Sequence, residues 1–430
     1  MIARNLNLKL TIVKFKILTF KNISFFLFFY LTLVTGFFFG ENLNYGSYGD
    51  WIGSNREPIK DFSNNFTYTF LNFDSYGHRH SPVYLIFLSL FLDLGLDLNQ
   101  IRLVHLHLSI SLIIVFYQCL RLLFSNINNN YLFLLSLIIF LSPTFRSLAI
   151  WPDSRLPGLI FFVLTIYFFL KFRKTENLKY TWYTCISLVV SSYISPNFSV
   201  FFVYFFFFFL KKVKFRELSF LLIFNFLASL PILYYIFILD VNFLAAGKTP
   251  GLNNESINFS FNLSDKLMII SSIIFFHLSP IVIMDNFFNQ FKSFLDKGFI
   301  IIVPLVVCLI YFFNYQLSYT GGGVFFILSN LLFDNNYLFY IGSFFFISFV
   351  LYIASLSLNN FFLLTLLIVS NIQNTIYHKY YEPLVLIMFF TLIKYPGVEN
   401  FLKKKNNIFY LYLVSVIYIV MRVFKINYLV

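Results

Sequence analysis

Long apolar runs, separated by short polar segments, dominate the pattern along this chain. A helix that crosses a bilayer needs about 20 predominantly apolar residues, and by that measure the runs predict about thirteen spans. The predicted spans lie at 23–39, 102–124, 131–150, 157–172, 180–194, 197–210, 218–239, 267–284, 298–316, 337–356, 361–376, 383–395 and 408–424. Because the runs are continuous and do not alternate, they favour helices over the strands of a membrane β-barrel.

Two further apolar stretches are too short to cross a bilayer. The first, 82–94, ends around Asp93, and the second, 324–333, is bounded by three glycines and Asp334. We expect both to form helices that lie at the membrane interface. The pattern therefore predicts an all-α, polytopic membrane bundle, with one transmembrane domain over 1–430 and no soluble domain.

Composition supports this prediction and excludes several classes. Of the residues, 59% are hydrophobic and 11% are charged, whereas roughly 25% are charged in an average soluble domain. This excludes a soluble enzyme, a disordered chain and a nucleic-acid-binding domain. The net charge of +13 is expected to come from cytoplasmic loops. The three cysteines lie within apolar runs, and we expect them to be small buried hydrophobic residues.

The distribution of charge predicts the orientation of the chain. The first 21 residues contain five Lys or Arg and no acidic residue, and no cleavage site follows the first apolar run. We therefore expect a retained anchor with a cytoplasmic N-terminus. The basic segments 171–179 and 211–216 are then also cytoplasmic, and the longest loop, 40–102, lies outside.

That first outer loop contains the strongest candidates for acid–base chemistry. Asp50 lies in a Gly-rich turn, and the apolar residues of 55–70 recur every three or four positions, which predicts a surface helix. A carboxylate such as Asp50 or Glu57 at the membrane surface can act as a general base. Two structural alternatives stay open, because Ser54 and Glu57 also fit a helix capping box and Asp50 also suits turn formation.

A basic cluster, His78, Arg79 and His80, immediately precedes the second apolar stretch. Cations at that level can contact a lipid phosphate, although Arg79 can equally pair with nearby acids. His78 and His80 also resemble half of a metal site, but one such pair is a weak signal. We predict no metal ligands, and a requirement for a divalent cation stays open.

Two more sets of ionisable residues lie at predicted span ends. Arg146, Asp153 and Arg155 lie at the outer end of the third span, where charged residues are functional candidates, the alternative being an Asp–Arg pair that joins two helices. His378 and Lys379 lie in the outer turn 376–383, where the lysine is expected either to bind phosphate or to extend towards the interface.

His105 and His107 lie at the start of the second predicted span, and one of the two is expected to face the bundle as a hydrogen-bonded core histidine. His277 is interpreted in the same way.

The order of these segments resembles a known family. A basic tail and one span precede a long outer loop with an early Asp, an interfacial helix opened by a basic residue and Pro, and the sequence LDLGLDLNQIRLVHLHLSISL. A span ending at Arg121 and another ending at Ser142-Pro143, with Asp153 beyond it, come next. This arrangement resembles the GT-C superfamily of membrane glycosyltransferases, and within it the protein O-mannosyltransferase and lipid A aminoarabinose transferase branch. The resemblance covers 1–210 and returns at IYHKYYEP, residues 376–383.

The resemblance implies a GT-C fold in a bacterial inner (plasma) membrane, with an extracytoplasmic active site. It implies a polyprenyl-phosphate sugar as donor and a glycan, lipid or protein as acceptor. Asp50 would be the catalytic base, Asp153 the acidic residue beyond the third span, and Lys379 a residue near the phosphate. The donor phosphate would also meet a wider set of residues, namely His78, Arg79, His80, Arg155 and His378. The family's Asp-Glu doublet is Asp50-Trp51 here, which leaves Glu57 as an alternative base, and its Pro-Pro is Ser81-Pro82.

Two other classes of membrane protein fit the composition. An O-antigen-type polymerase typically has its large outer loops in the second half of the chain, whereas here the longest loop is the first. A lipid-linked sugar flippase or transporter predicts charged or broken positions at the middle of spans, and the spans predicted here are nearly free of charge.

Overall fold

The computed structural model describes residues 20–43, 45–78, 80–239, 262–284, 287–317, 321–371 and 375–428. Over these ranges the chain forms helices and no strand, and one isolated antiparallel bridge joins Gly321 to Tyr377. The basic tail 1–19, on which the predicted orientation largely rests, lies outside the described residues.

The α-helices differ widely in length. They are Phe20–Phe38, Tyr45–Asp50, Arg56–Asn64, Phe66–Leu71, Val83–Asp93, Leu98–Leu123, Asn129–Leu137, Pro143–Ile150, Arg155–Thr175, Lys179–Ile194, Phe202–Leu210, Phe215–Phe237, Leu263–Leu278, Phe287–Tyr311, Gly323–Phe333, Tyr337–Ser355, Leu358–Val369, Leu384–Thr391, Val398–Lys403 and Lys405–Tyr428. Tighter 3₁₀ turns occupy Phe73–Tyr76, Ile138–Leu141, Pro196–Phe201, Ser279–Ile283 and His378–Tyr380, and a π-helix occupies Trp51–Asn55.

Seven helices in the described part of the chain are long and apolar enough to cross a membrane, or eight if one bent pair forms a single span. The seven are Leu98–Leu123, Arg155–Thr175, Phe215–Phe237, Leu263–Ile283, Phe287–Tyr311, Tyr337–Ser355 and Asn406–Ile426. The protein is thus a helical membrane protein by length and composition. The predicted spans 361–376 and 383–395 correspond to helices of only 12 and 8 residues. The 8-residue helix is buried all round, so its apolar run belongs to the protein core.

The predicted span 131–150 is bent by 69° between Leu141 and Pro143. Proline has no amide hydrogen to continue a helix but suits its first turn. Ser142 starts the new helix by accepting a hydrogen bond from the amide of Phe145 at 2.9 Å. The bend places the segment 151–154, which carries Asp153, between two helix ends.

Arg146 ties this bent segment to the first helix. Its Nε and Nη2 donate to the two carboxylate oxygens of Glu41 at 2.6 and 2.5 Å, and Nη2 also donates to the carbonyl of Thr32 at 3.0 Å. The fork of a guanidinium matches a carboxylate in this way. Arg146 therefore joins two helices, although its partner is Glu41 and not the Asp considered from the sequence.

The first outer loop is more helical than the sequence predicts. Asp50 ends the helix Tyr45–Asp50, which continues directly into the π-helix Trp51–Asn55, so the predicted Gly-rich turn is wrong. The surface helix predicted over 55–70 is interrupted at Asn65, whose extended φ of −150° starts a second helix. Over its first half the apolar face is buried, as expected.

The helices Arg155–Thr175 and Lys179–Ile194 pack closely near Asp153. A Cβ added at Gly158 would lie 2.6 Å from the Cβ of Ser195, so only glycine fits. Ser191 Oγ donates to the carbonyl of Gly158 at 2.7 Å. Small residues allow backbones to approach in this manner within membrane proteins, and here they hold the start of the helix Arg155–Thr175 in place.

Two of the cysteines are buried as predicted, Cys119 and Cys185. Cys308 is exposed, because most of the helix Phe287–Tyr311 lies on the outside of the bundle.

Candidate functional site

Lys379 lies at the centre of a three-residue charged cluster. Its Nζ donates to Asp50 Oδ2 and, at 3.0 Å, to Asp153 Oδ2. The side chains of Lys379 and Asp153 are 10% and 6% exposed, whereas that of Asp50 is 47% exposed. One carboxylate of this charged cluster therefore faces outward and the other lies inside the protein.

The first outer loop is held against the segment that carries Asp153. Asn55 Nδ2 donates to the carbonyl of Pro152 at 2.9 Å, and this bond fixes the helical segment that follows Asp50. Asp153 Oδ1 accepts from the amide of Arg155 at 2.8 Å at the start of the next helix. One oxygen of Asp153 is thus used by the backbone, while the other meets Lys379.

Arg155 holds the turn His378–Tyr380. Its Nη2 donates to the carbonyl of Tyr380 at 2.6 Å and its Nη1 to Ser195 Oγ at 3.2 Å. The guanidinium also lies over the rings of Phe198 and Tyr380, at 4.3 and 4.9 Å from their centroids. Arg155 was predicted to bind substrate, but in the structure it is buried and its donors go to protein groups that position Lys379.

The pKa values of the two carboxyl groups in the charged cluster are shifted in opposite directions. Desolvation raises the pKa of Asp50, Lys379 opposes the rise, and the negative charge of Asp153 adds to it, so the pKa lies above its usual value. Desolvation also acts on Asp153, but Lys379 and the amide of Arg155 outweigh it and hold the pKa of Asp153 well below its usual range. The two carboxylates raise the pKa of Lys379. Asp153 is thus a permanent anion, and Asp50 is the better proton acceptor.

The predicted phosphate-binding histidines take different places. His78 Nε2 lies 2.8 Å from the carbonyl of Ser54, and its ring stacks on Phe73, so His78 holds the outer loop together. Burial lowers the pKa of His78 and favours its neutral form. His80 lies near the charged cluster, because a positive charge on its ring lowers the pKa of Asp153.

Two other predicted residues remain, Arg79 and Glu57. Arg79 lies outside the described residues. Glu57 is exposed in the first turn of its helix and forms no ion pair with any residue that the structure describes. Its proposed capping box with Ser54 is also wrong, because Asn55 holds the N-cap position and makes no side-chain cap hydrogen bond.

A second group of side chains lies on the other side of the same turn. His277 Nε2 and His378 Nε2 are 2.8 Å apart, and His378 Nε2 is 3.8 Å from Glu382 Oε2. Thr144 Oγ1 donates to the same carboxylate oxygen at 2.8 Å. The sequence treated His277 as a core residue, and the only local signal was the spacing of four between His378 and Glu382.

Of the two histidines at the start of the second predicted span, His105 is the buried, hydrogen-bonded one and His107 is exposed. His105 Nδ1 lies 2.5 Å from the hydroxyl of Tyr84, and its Nε2 lies 2.7 Å from the carbonyl of Leu148. The contact of Tyr84 with His105 was not predicted, because nothing in the local pattern links the tyrosine to a histidine 21 positions away.

The charged cluster suits acid–base chemistry next to a substrate group that carries negative charge. Asp50 can accept a proton from a neighbouring group, and Lys379 offers a fixed positive charge within contact of it. Such a pair suits a reaction in which a hydroxyl loses a proton while a leaving group gains negative charge. Comparison with known proteins returned no family model, no curated protein and no solved structure that matches this chain.

Proposed function

We propose that this protein is a membrane glycosyltransferase. It moves a sugar from a polyprenyl-phosphate donor to a glycan, lipid or protein acceptor at the extracytoplasmic face of a bacterial inner membrane. The observation that carries the proposal is the meeting of Asp50 and Asp153 on Lys379. These residues are up to 329 positions apart, and they are three of those that the GT-C resemblance selects for catalysis and for contact with the phosphate.

In this mechanism Asp50 takes the proton of an acceptor hydroxyl. The hydroxyl oxygen forms a bond to the anomeric carbon of the donor as the bond from that carbon to the phosphate oxygen breaks. The electron pair leaves with polyprenyl phosphate, and the ammonium of Lys379 stabilises the growing negative charge. Asp153 stays ionised and orients Lys379. Before these steps, as the donor binds, Lys379 moves from Asp50 to the phosphate, which frees Asp50 to accept the proton.

The membrane arrangement follows that of the resembling branch. The seven long helices and the bent pair supply up to eight crossings, and the remaining crossings of a thirteen-span arrangement fall to shorter helices, with the N-terminus in the cytoplasm. The first outer loop then lies outside, where a donor sugar has already crossed the membrane, so no nucleotide-sugar site is needed.

The test is sugar transfer by the purified full-length chain in lipid nanodiscs. Radiolabelled polyprenyl-phosphate hexoses and pentoses serve as donors, with cell-envelope glycans and glycolipids as acceptors. We expect label to appear in an acceptor, and Asp50→Asn to lower the rate by about 10²- to 10⁴-fold through loss of the general base. Asp74→Asn is the matched control, because Asp74 is an exposed carboxylate in the same loop.

Each remaining outcome points elsewhere. Transfer that survives in Asp50→Asn but is lost in Glu57→Gln moves the base to Glu57. Repeated extension of one acceptor by whole lipid-linked repeat units indicates a polymerase. Movement of labelled donor across the bilayer of proteoliposomes, without transfer, indicates a flippase, and it would refute the proposal.

A further inference from the structure

The second group of side chains, His277, His378 and Glu382, has the composition of a metal site. One ligand atom from each lies within 4.8 Å of the others. His277 comes from the last turn of the helix Leu263–Leu278, and the other two come from the turn that follows residue 375. Because the ligands come from two separate elements, an ion bound here would join them.

Distances within this histidine–glutamate cluster are close to those of a bound ion. A tetrahedral zinc ion with ligands at about 2.0–2.1 Å keeps its ligand atoms about 3.3 Å apart. The observed separations from His378 Nε2 are 2.8 Å to His277 and 3.8 Å to Glu382. Rotations that move these atoms by roughly half an ångström to an ångström would bring both separations to that value.

Charge also favours a cation at this place. His378 and Glu382 are 5% and 4% exposed. The charge of Arg422 acts on the Glu382 carboxylate from a distance, but no Lys or Arg that the structure describes lies within ion-pair distance of it. A buried carboxylate is costly unless a positive charge and hydrogen bonds compensate it. Thr144 supplies one hydrogen bond, and a divalent ion would supply the charge.

Space for a fourth ligand lies beside the cluster. A cavity of about 50 Å³ is lined by Ser142, His277, Glu382 and Tyr418 among other residues. A water molecule needs roughly 10–15 Å³ of such volume and two or more polar partners, so the cavity accommodates a metal-bound water. Two histidines, one carboxylate and a water form a common set of zinc ligands.

We propose that His277, His378 and Glu382 bind a divalent transition-metal ion of the zinc type, with water as the fourth ligand. Thr144 orients the carboxylate by its hydrogen bond. The ion ties the helix Leu263–Leu278 to the turn that carries Lys379, and so it fixes the position of the lysine. This proposal does not depend on the proposed sugar transfer.

The experiment measures metal in the purified full-length protein by elemental mass spectrometry, after dialysis against a weak chelator. We expect about one zinc per chain in the wild type, and less than about a tenth of that in His277→Gln and in His378→Gln. His107→Gln is the control, because His107 is an exposed histidine on another helix. A wild-type protein without first-row metal, or metal retained in both ligand variants, would overturn the proposal.

A second variant keeps the test decisive if the ligand variants fail to fold. Thr144→Val leaves all three ligands in place and removes the hydrogen bond to Glu382. Titration of metal-free protein with Co²⁺, followed by visible absorption, should show tetrahedral binding in the wild type and an affinity about 10- to 100-fold lower in Thr144→Val. An unchanged affinity, or no tetrahedral spectrum in the wild type, contradicts the assignment. Because neither readout needs sugar transfer, a failure here is distinct from a failure of the proposed function.

Discussion

Lys379 and His378 are neighbours in the chain, yet their side chains belong to two different environments. Lys379 enters the charged cluster, where two carboxylates meet it and one of them reaches solvent. His378 enters the histidine–glutamate cluster, which is buried and contains no lysine or arginine that the structure describes. The comparison teaches that one short turn can supply a solvent-accessible charge to one site and a buried ligand to another.

The two clusters also share their support. Arg155 binds the carbonyl of Tyr380, next to Lys379, and Thr144 binds the carboxylate of Glu382. Both supporting residues come from the segment that follows the bend at Ser142, Thr144 from the helix Pro143–Ile150 and Arg155 from the start of the next helix. A change in one cluster is therefore expected to leave the other intact only if the turn between them keeps its position.

The largest effect is expected from Lys379→Met, which separates the two clusters most clearly. The change removes the cation that two carboxylates share, so transfer should fall by about 10²- to 10³-fold. Stability should fall by ~3 kcal/mol, at the lower end for a buried pair because water screens the half-exposed Asp50. Transfer assays and thermal unfolding in detergent measure these effects. Metal content should stay near that of the wild type, and its loss would show that the clusters are not separate.

A smaller effect is expected from Asp153→Asn on the pH dependence of transfer. Transfer needs ionised Asp50 and is lost as the pH falls through the pKa of Asp50. Asp153 raises that pKa and Lys379 lowers it. Without the negative charge of Asp153, the pKa of Asp50 falls, so the acidic limb of the rate profile moves to lower pH. The profile of kcat/KM against pH, which reports the pKa values of the free enzyme, measures this, with Asp74→Asn as the control. A limb that moves to higher pH would contradict the assignment of Asp50 as base.

The smallest effect is expected from Gly158→Ala, which tests the shared support. The added methyl group would meet Ser195 Cβ at 2.6 Å, and overpacking of this kind costs about 1–3 kcal/mol. Gly53→Ala is the control, because no atom lies within 4 Å of the added carbon. Thermal unfolding measures both, and equal stability of the two variants would argue against close packing at Gly158.

Several features of the fold were predictable because they depend on local pattern. Apolar runs of sufficient length predicted the long helices, and the short helices Val83–Asp93 and Gly323–Phe333 lie where the two short stretches were expected. Helix breaks were less predictable. Asn65 interrupts an apolar periodicity that continues on both sides, and Ser142-Pro143 turns a run of sufficient length for one span through 69°.

The number of crossings could not be read from apolar runs alone. A run that contacts lipid and a run that is buried in the protein core have the same composition, as the 8-residue helix Leu384–Thr391 illustrates. Burial on all sides depends on neighbouring helices from distant parts of the chain. The count of thirteen therefore stays a prediction, beside seven helices of sufficient length.

The candidate site was partly predictable, for a reason that follows from charge. Ionisable residues stand out in so apolar a chain, so Asp50, Asp153 and Lys379 could be selected from the sequence together with other residues. Selection did not separate Asp50 from Glu57, because both carboxylates lie in the same loop and have similar local surroundings. Their different exposure and partners arise only when Lys379 arrives from a distant segment.

By itself, the sequence of this protein determined its helical membrane class and a set of ionisable candidates, since both depend on composition and spacing along the chain. Only the tertiary structure decided which candidates meet, that Arg155 supports a turn, and that His277 faces His378 across 101 positions. The physical reason is that burial, desolvation and pairing are properties of contacts between segments. Contacts between residues so far apart in the chain cannot be predicted from the local pattern of the sequence.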